Sequence, residues 1–163
     1  MTRNLLDVSG IGKDRVHLYW CSSAEAQRFA EIAGTVTDTI KQLGAFEPDA
    51  YRMQLDAAAA ALSGETLRWL VGKEVKTTTK GDVYGRQWDA ASFETILDSV
   101  IEREYRTQLI LQAVSRGCKS PREIREKTGL ELKQISYLLA DMEKRSLVQF
   151  KGMEDHKPVF AAL

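Results

Sequence analysis

Cysteine is scarce in this chain. There are two, Cys21 and Cys118, far apart and outside any CxxC spacing. That excludes a disulfide-built scaffold and fits a reducing cytoplasm. Histidine is equally scarce, with only His17 and His156. A four-ligand zinc or iron–sulfur site made from this chain alone would use nearly every soft ligand it has. Net charge is absent too: 23 Lys and Arg stand against 23 Asp and Glu. No long-range field draws the whole chain toward nucleic acid or anionic lipid. Long apolar runs are missing. "LILQAV" and "HLYW" fall far short of the ~20 residues a membrane span needs. Thr2, Arg3, Asn4 and Asp7 interrupt any apolar leader core. No nucleophile, base and orienting group are recognisable as a set. "SGIGK" lacks the spacing of a phosphate loop.

What is present is an ordinary globular composition, 44% hydrophobic over 163 residues, enough for one or two small domains. Residues 1–7 read as a helix stopped by Gly10 and Gly12. In "RVHLYW", Val16, Leu18 and Trp20 alternate with His17 and Tyr19, the pattern of a strand. Ser22 precedes Glu25 by three, a capping box that predicts a helix starting there. Ala26, Phe29, Ala30, Ala33, Val36 and Ile40 continue it as an apolar stripe up to Gly44. "DAYRMQLDAAAAALSG" predicts a helix with Asp49 at its N-cap and Gly64 as its stop. "ETLRWLVG" predicts a shorter one. "KEVKTTTKGDVYGRQWD" reads as a loop or frayed hairpin, with three threonines, two glycines and little apolar period.

From Ala90 the helical period is strong, through Phe93, Ile96, Leu97, Val100, Ile101, Tyr105, Leu109 and Leu111, as one helix or two. Gly117 ends it. "SPREIREKTG" predicts a short helix with Ser120 at the N-cap, Pro121 at N1 and Glu123 at N3. The next helix buries Leu132, Ile135, Leu138, Leu139 and Met142. "VQFKGMEDHKPVFAAL" reads as a two-stranded ribbon around a glycine-containing turn. Helix, short helix, helix and ribbon in about 60 residues is the plan of a winged helix-turn-helix. DNA affinity usually demands a basic stripe. Residues 104–163 carry eleven Lys or Arg against eight Asp or Glu, a net of plus three. The candidate nucleic-acid contacts are Lys133, Gln134, Ser136, Tyr137 and Lys151, interspersed with Glu131, Asp141, Glu143, Glu154 and Asp155.

The first segment, "LLDVSGIGKDRVHLYWCSSAEAQRFAEIAGTVTDTIKQLGAF", resembles the C-terminal part of the delta-subunit family of methyl-viologen-reducing hydrogenases. Gly10, Arg15, Val16, Leu18, Trp20, Ser22, Ala24, Glu25, Phe29, Ala30, Glu31 and "KQLG" carry the likeness. The segment "IEREYRTQLILQAVSRGCKSPREIREKTGLELKQISYLLADMEKRSLV" is similar to the helix-turn-helix tail of some members. The resemblance implies a flavodoxin-like fold and a [2Fe–2S] cluster held by cysteines upstream of the matching region. Those motifs have no counterpart here, so no cluster ligand carries over to any residue of this sequence. Cys21 lies between the family's Trp and Ser, either as a small buried residue or as a thiol at a helix N-terminus.

The resulting expectation is a mostly α fold with a small β content. A partial flavodoxin-like βα unit spans 1–46, a helical linker and loop 47–89, and a long helix with winged helix-turn-helix 90–163. The resemblance implies an accessory or docking subunit, or a fragment, of a hydrogenase or heterodisulfide reductase-type electron-transfer complex. Chemistry would rest on the partners' groups, with no cofactor in this chain and the [2Fe–2S] cluster in an upstream portion or a partner subunit. Either a split subunit or a reading frame taken from an internal methionine would produce such a chain. Val16, Leu18, Trp20, Cys21 and Phe29 are the expected partner interface, facing hydrogenase or heterodisulfide reductase-like subunits or a second copy. The alternative is a winged-helix DNA-binding transcriptional regulator.

Overall fold

Seven α-helices, one 3-10 turn and one two-stranded antiparallel sheet make up the computed structural model, which describes residues 1–163. The fold is mostly helical with little β structure. The helices are α1 (Thr2–Val8), α2 (Ala26–Leu43), α3 (Arg52–Ser63), α4 (Glu65–Thr79), α5 (Ala90–Ser115), α6 (Pro121–Thr128) and α7 (Leu132–Lys144). The 3-10 turn is Lys13–Arg15; the strands are β1 (Val148–Glu154) and β2 (Lys157–Ala162).

α5 is the spine. It is one unbroken helix of 26 residues, which settles the one-or-two question left by the period. Asp89 caps it by accepting the Ser92 amide at 2.9 Å. Its first half packs Phe93, Leu97, Ile101 and Tyr105 against Leu5 of α1, the alanines Ala57, Ala58 and Ala61 of α3, and Leu67 of α4. The small alanine face lets the α3 and α5 backbones approach closely. Its second half packs Ile110, Ala113 and Val114 against Ile124, Ile135, Leu138, Leu139, Met142 and Val148. Met53 and Leu130 touch both clusters, so the core is continuous along α5.

α6 begins as its sequence predicts. The Glu123 carboxylate accepts the Lys119 amide at 2.9 Å and the Ser120 hydroxyl at 2.7 Å, Pro121 occupies the first turn, and Gly129 closes the helix at φ 74°. These hydrogen bonds hold the Glu123 carboxyl below its ordinary pKa.

Four local expectations are corrected. α4 runs on to Thr79, where a loop or frayed hairpin is predicted from Lys73. The Thr78 and Thr79 hydroxyls donate back to the carbonyls of Glu74 and Val75, at 2.8 and 2.5 Å, while Leu67 anchors the helix in the core. Burial of one face outweighs the small helix penalty of threonine. α3 starts at Arg52 and not behind Asp49, because Glu47–Tyr51 first makes its own turn, with the Tyr51 amide on the Pro48 carbonyl at 3.1 Å. α2 starts at Ala26. The Ser22 amide donates to Glu25 Oε2 at 2.7 Å, yet the Glu25 amide donates to the Ser22 carbonyl, so only half of the capping box forms. The ribbon turn is Asp155–His156, both at positive φ (48° and 61°), while Gly152 instead serves a bulge inside β1 at φ 121°.

Candidate functional site

Two surfaces collect the residues singled out by sequence. The first is an arm, residues 16–44. Its root is fixed: Leu5 is buried in the core, and the Arg3 guanidinium pairs with Asp14 at 2.9 Å. Arg15 donates to the carbonyls of Leu43 and Gly44, at 3.2 and 3.3 Å, and lies over the Phe46 ring at 5.2 Å. One guanidinium thus satisfies the open C-terminal end of α2 and opposes its dipole. His17 Nε2 meets the Asp14 carbonyl at 2.8 Å, and its ring stacks parallel to that of Tyr19.

Beyond this root the arm covers nothing. Val16 is extended, and residues 16–20 lie outside any helix or strand ladder of this chain. The predicted strand is not formed within this chain, which supplies no neighbour for it. α2 buries none of its 18 residues, although Phe29, Ile32, Val36, Ile40 and Leu43 recur at helical spacing. Trp20 is 79% exposed and Phe29 63%. Val16, Leu18 and Cys21 are exposed beside them. All five expected interface residues thus fall on one uncovered segment. Ile32 and Leu43 extend its apolar stripe and are missed by the sequence reading, although the three-and-four spacing marks them. The Glu25 carboxyl is held below its ordinary pKa by the Ser22 amide and then by Arg28.

The second surface is α7 with the ribbon. Lys133, Ser136 and Tyr137 face solvent, Gln134 is half-buried, and Lys151 sits in the β1 bulge, donating to Gln149 at 2.6 Å. Asp141 is drawn to the other side, pairing with Arg103 at 2.9 Å and Arg145 at 3.8 Å. Arg145 also reaches the nearly buried Glu104 at 3.7 Å. Those contacts lock α7 to α5. An open cleft between α6 and α7 is lined by Arg122, Arg125, Glu126, Gly129, Glu131 and Leu132. Its two arginines make no ion pair and are not among the predicted contacts.

No three His, Cys, Asp or Glu side chains converge as a metal site. Cys21 is exposed on the arm, whereas Cys118 is half-buried against the second core cluster, where burial pushes its thiol pKa up. Two thiols in such different places do not fit an iron–sulfur cluster. No helix is long and apolar enough to cross a membrane.

The family described as methyl-viologen-reducing hydrogenase, delta subunit (FlpD) matches residues 1–44, which are α1, the 3-10 turn and the arm. A particular relative is the vhu iron–sulfur subunit of the F420-non-reducing hydrogenase from Methanococcus voltae, 43% identical over 44 residues. That stretch is 27% of this chain and 33% of the relative, so the two share about a third of the relative's length. No solved structure matches.

Proposed function

We propose that this chain is an accessory, docking component of a hydrogenase-type electron-transfer complex, and that its arm is the docking element. The carrying observation is a coincidence of two boundaries. The stretch related to the hydrogenase family ends where the uncovered α2 ends, and beyond α1 and the 3-10 turn that stretch is the part of the molecule that covers no core. In this reading 1–46 is a piece of a flavodoxin-like unit, 47–89 a helical connection and 90–163 a helix with a winged helix-turn-helix. A run with open backbone groups on both edges, once it is drawn out as a strand and followed by its amphipathic helix, completes a sheet that begins elsewhere. Trp20 and Phe29 are its aromatic anchors. The occupant is the cluster-bearing portion that corresponds to the rest of the relative, on an upstream segment or a separate polypeptide. Hydrogenase or heterodisulfide reductase-like subunits carry the redox groups, in the cytoplasm. This chain contributes position and no catalytic group.

The test is co-purification of the full chain with the iron–sulfur polypeptide encoded next to it, followed by Leu18→Asp and Phe29→Asp. The wild type is expected to elute as one complex, and each variant to elute alone with an unchanged helical spectrum. Retention of both variants in the complex, or self-association of the wild type through the arm in place of complex formation, refutes the reading.

A second reading is a winged-helix regulator of transcription. It is favoured by the α5–α6–α7–ribbon arrangement and by the exposed, unpaired Lys133, Arg122 and Arg125. A gel-shift titration at about 150 mM salt decides. Weak binding without sequence preference is expected. Sub-micromolar preference for one promoter fragment over its scrambled version puts this reading first.

A further inference from the structure

The outer face of α4 and the loop after it carry a charge and an exposure that neither reading uses. At ~100° per residue, Trp69, Lys73, Lys76 and Lys80 fall within about 40° of one line, opposite the buried Leu67. None of these lysines meets a carboxylate. Lys73 Nζ sits 6.0 Å from the centroid of the Trp69 ring. Glu65, at the N-terminal end, is the one acid on the line, and Glu74 lies toward the packed side. In a chain of zero net charge this is a local cationic stripe.

The loop beyond it is built to hold an apolar tip. The Asp82 carboxylate accepts the amides of Tyr84 at 2.8 Å and Arg86 at 2.9 Å, and pairs with the Arg86 side chain. Gln87 ties the loop back to α4 through the Thr78 carbonyl at 2.6 Å, and the Trp88 amide does so through Thr77. On this fixed loop Val83 is 86% and Tyr84 80% exposed. A preorganised apolar tip loses little freedom on binding, which is what an interface anchor requires.

We infer that this face is a second protein-docking surface, independent of the arm, whose partner presents an acidic patch around an apolar pocket. Charge complementarity sets the sign of the partner: three unpaired lysines in a row steer an acidic surface and repel a basic one. The exposed Val83 at the tip sets its kind. Val83 gains from an apolar protein pocket, which the bases and phosphates of a single-stranded nucleic acid do not supply. Four unpaired cations, Arg68 included, with two acids beside them are at the weak end for anionic membrane binding.

The experiment uses the full chain and a fluorescent 20-residue helical peptide with one glutamate stripe and one leucine stripe. A twin with glutamine for glutamate, a 20-nucleotide oligothymidine and phosphatidylserine vesicles are measured beside it by anisotropy and sedimentation. The acidic peptide is expected to bind at least tenfold tighter than its twin and to lose at least tenfold between 50 and 300 mM salt. Lys73→Gln/Lys76→Gln is expected to abolish that difference, and Tyr84→Ala to weaken binding about fivefold with the salt dependence kept. Equal binding of the glutamine twin, tighter binding of oligothymidine or vesicles, or unchanged affinity in the lysine variant overturns the inference. Because the arm variants Leu18→Asp and Phe29→Asp leave this face intact, they are expected to bind the peptide as the wild type does; loss of binding in them also counts against an independent surface.

Discussion

At Leu138 and Lys133, five positions apart on α7, the chain distinguishes inside from outside. Leu138 lies against the α5 cluster, whereas Lys133 points to solvent. Leu138→Asp places an unpaired carboxylate in an apolar site, a change worth several kcal/mol. Lys133→Ala stays within about half a kcal/mol. Thermal melts of the two variants are expected to separate widely; coincident melts would mean that the opposite face of α7 is the buried one. Glu123 gives a pH dependence of known sign. Its carboxyl, drawn down by the Lys119 amide first and the Ser120 hydroxyl next, titrates lower folded than its ordinary value of 4.5. Its contribution is therefore complete above that ordinary value and is lost as the pH falls from there through the folded value. The expected result is a smaller drop in melting temperature between pH 6 and pH 3 for Glu123→Gln than for the wild type, and parallel curves would show that the cap carries no such linkage.

The same contrast separates whole elements. α5 buries side chains along its entire length and holds both core clusters, whereas α2, with a clear apolar stripe, buries none. An isolated helix draws little stability from propensity alone, so α2 and the extended run before it depend on what they dock against. Amide exchange in a verified monomer is expected to be fast at residues 16–20 and in α2, and slow in the middle of α5. Strong protection at 16–20 in that monomer would show neighbours within the chain and end the docking proposal. The extent of α4 makes the complementary point. Its threonines weaken the sequence signal, and packing against α5 restores the helix.

For the molecule as a whole, the helical body around α5 holds both core clusters, and the arm leaves it at the Arg3–Asp14 and Arg15 contacts. The matched 44 residues straddle this line: α1 belongs to the body's core, and the remainder projects from it. With Cys21 on the arm and Cys118 against the body's core, the purified chain is expected to hold no more than trace iron after reconstitution. Iron and sulfide analysis with a visible spectrum checks this. Stoichiometric iron and sulfide would require a ligand set from a second copy and would change the proposed division of labour.

Local sequence signals determined that helices stand at α1, α5, α6 and α7 and a ribbon after them: α5 and α7 repeat an apolar face at helical spacing, and the caps at Ser120 and Gly129 are written in local chemistry. The scarcity of cysteine and histidine likewise limits, without coordinates, the soft ligands this chain can offer. Tertiary structure decided three other things. It carried α4 through its threonines, since packing energy is not encoded in the segment that receives it. It moved the ribbon turn to Asp155–His156, where pairing register and not glycine placement selects the residues at positive φ. It also left the arm bare. An apolar stripe in a sequence says only that a face is to be covered; whether the cover lies in the same chain depends on how the other elements fill the space around α5, and here they fill it without α2.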